Sequence, residues 1–125
     1  MHRRVVLAAL FSMIALPSFA HGPERGPNGG QMADIGQNHA ELVVQNNEVT
    51  VYLTGGENRP VPIQGATATA TVVSGGAPET IQLQPAGNNV LKGRGNFTAG
   101  RGMRVVFSLT LPGQRAAQAR FTPLD

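Results

Sequence analysis

Cysteine is absent from the 125-residue chain. That one absence excludes disulfide staples, thiolate-bound zinc, iron–sulfur clusters and thiol catalysis. It also means that no lipid-attachment cysteine follows Ala20. Tryptophan is absent too, and aromatic residues make up 5% of the chain. Any core is therefore light, built on Val, Leu and Ala, with Phe97, Phe107, Phe121 and Tyr52 as structural aromatics. Charged residues are also scarce, at 14%. After residue 20 the acidic side chains are Glu24, Asp34, Glu41, Glu48, Glu57, Glu79 and Asp125, and none forms the carboxylate pair a hydrolase needs. Ser74 and Ser108 are the serines of the same region, and neither sits in a nucleophile elbow. The glycines of "GRGNFTAG" lack the spacing of a phosphate loop opening a helix. These absences argue against an enzyme.

A membrane-spanning run is missing as well. The longest apolar stretch, Val5 to Leu16, is interrupted by Ser12 and falls short of the roughly 20 residues that cross a bilayer. Its flanks explain it. Arg3 and Arg4 precede it, Pro17 breaks it, and Ser18-Phe19-Ala20 places small residues where a signal peptidase reads them. Residues 1–20 thus read as a signal peptide cut after Ala20, and the product as exported, with no stable membrane insertion. An uncut anchor is the alternative, and the good cleavage-site chemistry speaks against it. The chain carries a net charge of +3, of which Arg3 and Arg4 supply two, leaving +1 after cleavage. The basic residues Lys92, Arg94, Arg101 and Arg104 are separated by glycines and lack interleaved aromatics. They read as a solvated face, and no nucleic-acid partner is expected.

What remains is strand-like. Residues 21–38 form a Gly/Pro-rich arm, with room for one short strand at Gln31 to Ile35. From His39 apolar residues alternate. Leu42 to Val44 and Val49 to Leu53 flank Asn46-Asn47, a pair suited to a tight hairpin turn. "GATATATVVSGG" sets Ala66, Ala68, Ala70 and Val72 against Thr67, Thr69, Thr71 and Val73. Ile81 and Leu83 alternate with glutamines, and Val105, Phe107, Leu109 and Leu111 share a face. A "PGQ" turn then leads into Ala117, Ala119 and Phe121, which makes a hairpin. The glycines of "NVLKGRGNF" suggest a bulge or an edge strand. No 3.6-residue period occurs after residue 20. The expected fold is all-β, a small immunoglobulin-like or fibronectin-like sandwich of about seven strands over residues 39–125.

Two histidines, His21 and His39, follow the cleavage site. If cleavage falls after Ala20, His21 bears a free α-amine. That amine and the His21 imidazole can close a chelate ring on one metal, and a second imidazole from His39 would complete a T-shaped set of three nitrogens. Such a set suits Cu(II), which prefers tetragonal N/O geometry and heads the Irving–Williams order. Copper deprotonates an α-amine, with its reference pKa of about 7.7–8.0, at neutral pH. Met32 and Met103 offer soft thioethers for Cu(I), and Asp34 or Glu41 an oxygen. Plain structural roles stand beside these: His39 as a strand-entry residue, Met32 and Met103 as core fillers.

The block "HGPERGPNGGQMADIGQNHAELVVQNNEVTVYLTGGENRPVP" resembles a region near the N-termini of periplasmic adaptor subunits of metal-efflux pumps of the resistance–nodulation–division class. The matching residues are His21, Gly22, Gly29, Gly30, Gly36, His39, Glu41 and Leu42. The resemblance implies a periplasmic, metal-associated domain. The adaptors' helical hairpin and lipoyl-like part have no counterpart here. The chain also resembles small periplasmic copper-resistance sandwiches whose mature form begins with His. Those carry a late Asp-x-His pair, whereas here no histidine follows His39. "ENRPVPIQGATATATV" is similar to the lead-in of fibronectin-like and carboxypeptidase-regulatory-like sandwiches. The resulting expectation is a periplasmic binding protein for copper, or for zinc or another divalent metal, with His21, His39 and Met32 as ligands. Its partner would be a metal-efflux or copper-handling envelope protein. The alternative is a sandwich module without a metal that docks onto another envelope protein through the glycine-rich edge near Asn89 to Phe97.

Overall fold

Alternating side chains on short runs bury one face when the sheet they form curls over it, and the chain builds one all-β, nearly closed sheet. The computed structural model describes residues 24–125. The signal-peptide reading and His21 lie outside them. Among the described residues there are eight strands: β1 (Gln31–Ile35), β2 (Asn38–Gln45), β3 (Glu48–Thr54), β4 (Thr67–Val73), β5 (Glu79–Pro85), β6 (Val90–Arg94), β7 (Arg104–Thr110) and β8 (Ala117–Phe121). A short 3₁₀ turn, Gly56–Asn58, follows β3. The count is eight rather than about seven, because the short strand of the arm is a full member of the sheet.

Every pairing is antiparallel, and the strand order is β1-β2-β3-β6-β5-β4-β7-β8. The two halves join where Gln84 and Pro85 of β5 pair with Lys92 and Leu91 of β6. At the other end β1 and β8 come into contact, so the sheet nearly closes on itself. Side chains bridge that last gap. The Thr122 amide donates to Gln31 Oε1 at 2.7 Å, and the Arg25 guanidinium reaches the Pro123 and Asp125 carbonyls at 3.4 and 3.3 Å.

The core follows the sequence alternation closely. Leu42, Val49, Val51, Leu53, Leu91, Val105 and Phe107 are fully buried between the halves. Phe107 stands opposite Ala70 on one neighbouring strand and Ala119 on the other. The two alanines leave the width its ring fills, which is why this core needs few aromatics. Met103 is buried among these residues, so it is a core filler and no ligand candidate.

One sequence expectation is overturned. β6 lies between β3 and β5 and has no free edge. Its glycine serves close approach instead: a Cβ on Gly93 would lie 2.7 Å from the Gln82 carbonyl oxygen, inside contact distance. The basic cluster also divides. Lys92 and Arg94 both pair with Glu48, at 3.7 and 3.2 Å, while Arg104 lies on β7 in the other half.

Candidate metal centre

The β1–β2 hairpin places the sequence candidates. Its register sets Asp34 opposite His39 and Met32 opposite Glu41. Side chains alternate along a strand, so these four share the outer face, while Ile35, Ala40 and Leu42 point into the core. Met32 and His39 are therefore diagonal neighbours across two strands, a spacing of about 7–8 Å or less between Cβ atoms. Met32, Asp34 and His39, together with Glu24 and Asn58, line one surface depression.

His39 is held in a defined way. Its Nδ1 lies 2.8 Å from Asp34 Oδ1. An ionised carboxylate can only accept, so Nδ1 carries the hydrogen and the neutral ring's lone pair is on Nε2. Carboxylate–imidazole contacts of this kind fix tautomer and ring orientation at metal sites. Both groups are substantially exposed, with side chains 45% and 83% accessible, so the contact orients the ring more than it stabilises the fold.

Glu41 behaves differently from the oxygen donor expected of it. It is 2% exposed, and its carboxylate accepts from the Asn28 amide, the Asn28 side-chain amide and the Gly30 amide, each at 2.8 Å. These three bonds pin the Pro27–Gly30 turn onto the sheet. The turn directs residues 24–26 back along β1, with the Met32 amide donating to the Glu24 carbonyl at 2.8 Å and the Gly26 amide to the Gly30 carbonyl at 2.9 Å. A Cβ at Gly26 would meet the Glu41 carboxyl and the Met32 sulfur, so a side chain there would have to push one of them aside. Glu41 is thus the anchor of the arm.

Sequence reasoning missed that role, and it read Tyr52 as a structural aromatic without placing it beside the candidate site. Tyr52 stands opposite Glu41 on β3, on the outer face, and helps line a second depression that shares Met32 and Asn58 with the first. An outward position in an alternating strand reads as solvent, and only the covering arm makes it otherwise.

Met32 and His39 are brought together, then, with Asp34 as the partner of His39. Among the described residues no three His, Asp or Glu side chains are grouped to hold a metal ion. No family model matches the chain, and no curated protein or solved structure matches it either.

Proposed function

We propose that this protein is a periplasmic transition-metal carrier or buffer, with copper as its metal, acting in metal homeostasis or resistance. The reading takes it as a small β-sandwich of the immunoglobulin-like or fibronectin-like kind that binds and hands over a metal without catalysis. One observation carries the proposal: Met32 and His39 line one depression with Glu24, and His39 Nε2 is left free by Asp34. Two residues, Gly22 and Pro23, separate His21 from Glu24, and those three residue steps span at most about 10–11 Å. A cleaved His21 is therefore tethered within reach of the depression.

The proposed donor set is the His21 amine and imidazole, His39 Nε2 and the Met32 thioether. Three nitrogens suit Cu(II) and the thioether suits Cu(I), so this set favours copper over zinc and serves both oxidation states of a metal in transit. A metal-efflux or copper-handling envelope protein is the proposed recipient. The test is a Cu(II) titration, followed by EPR, of the protein beginning at His21 and of a form with one extra residue before it. The extra residue displaces the chelating amine, so the expected outcome is markedly weaker binding and an altered spectrum. Equal affinity and identical spectra would remove the amine from the site.

A further inference from the structure

The opposite half of the molecule carries a second distinctive surface, on the outer face of β4, β7 and β8. There Val106 stands opposite Thr71 on β4 and Arg120 on β8, and Arg104 stands opposite Val73. With Thr122 these residues line one depression whose floor is the half-exposed pair Val73 and Val106. Arg104 and Arg120 are exposed diagonal neighbours, and among the described residues neither has an acidic partner.

Arg101 and Arg115 are likewise without an acidic partner among the described residues, but Arg104 and Arg120 stand side by side along one apolar depression, and the side-chain carboxylates lie elsewhere. Glu41 holds the arm and Glu48 pairs with Lys92 and Arg94. Glu57 pairs with Arg59, and Glu79 accepts from the Asn96 amide. Asp34 binds His39, and Asp125 accepts from the Gly102 amide. Glu24 lies in the depression beside Met32 and His39.

We infer that this face docks an extended acidic segment of a partner protein. The complementarity is geometric as well as electrostatic. In an extended segment, residues two apart lie on one face about 6.6–6.8 Å from each other. That matches the roughly 7–8 Å diagonal between two residues on paired strands. Two carboxylates in an acid-x-acid pattern meet Arg104 and Arg120, and an apolar side chain two residues further on covers Val73 and Val106. The hydroxyls of Thr71 and Thr122 supply polar contacts at the margin. A single-stranded nucleic acid is a poor fit, since the aromatic at this depression, Phe121, is buried in the core and offers no ring on which a base could stack.

The probe is a fluorescein-labelled peptide containing Glu-Thr-Glu-Thr-Val, titrated by fluorescence anisotropy at low salt. Saturable binding is expected, weakening as salt rises. Arg104→Gln with Arg120→Gln should lower affinity about tenfold. Lys92→Gln with Arg94→Gln removes the same net charge from the other half and should leave binding intact. All four side chains are on the surface, so both double variants should fold. Equal loss in the two variants would reduce the effect to net charge and overturn the docking site. So would absence of peptide binding, or association with phosphatidylserine vesicles in its place.

Discussion

Glu41 shows what a single residue does here that its sequence position conceals. An acidic residue at an outward strand position normally ends in water, and here it ends under the arm, satisfied by three N–H donors. Hydrogen bonds to a charged group contribute about 1.5–3 kcal/mol each, without simple additivity. Glu41→Ala leaves the Asn28 and Gly30 amides facing a void, and the expected cost is roughly 2–4 kcal/mol in urea unfolding. A loss below about 0.5 kcal/mol, the scale of an ordinary surface substitution, would show that the carboxylate is not the anchor. His39 and Met32 were legible as chemistry because imidazole and thioether are rare in this chain. The Asp34 contact and the role of Glu41 were not, since each depends on which residue of a neighbouring strand stands opposite.

At the scale of the element, alternation carried most of the information. The threonine–alanine run and the final hairpin fall where period-two patterning puts them, because one wrong step would turn every apolar side chain to water, whereas Gln31–Ile35 is a strand for which the little-periodic arm merely left room. Glycine was ambiguous. In β6 it suggested an edge, yet Gly93 permits close approach to β5, and glycine spacing alone cannot separate those two causes. Alanine was informative only after the fact. Ala70 and Ala119 flank Phe107 from adjacent strands, an arrangement set by the order of the strands. Ala70→Leu therefore drives three additional carbons toward the Phe107 ring. Overpacking of this kind costs about 1–3 kcal/mol. Thermal unfolding should show a lower midpoint for Ala70→Leu, while Thr69→Leu, on the outer face of the same strand, should stay near the parent value.

The whole molecule sets the condition on which the metal proposal stands. The sequence left the partner of Gln31–Ile35 open, so it could not show that pairing with β2 would bring His39 beside Met32, and strand order is fixed only in the whole sheet. The order also supplies a discriminating measurement. A metal held only by the amine and imidazole of His21 would bind folded and unfolded chains alike, and a ligand with equal affinity for two states shifts neither. A metal that also takes His39 and Met32 binds a geometry that the β1–β2 register creates, and so it stabilises the fold. At a free concentration one hundred times the dissociation constant, exclusive binding to the folded state contributes about 2.7 kcal/mol. For a domain of this size that corresponds to roughly 10–20 °C in the unfolding midpoint. Copper binding by the unfolded chain through His21 reduces the shift without abolishing it. The expected result is a clear rise in midpoint for the protein beginning at His21, and little or none for His39→Ala, which retains the terminal chelate. If the parent and His39→Ala bind Cu(II) and neither midpoint moves, copper sits on the terminus alone, and the face shared by Met32 and His39 is not part of its site.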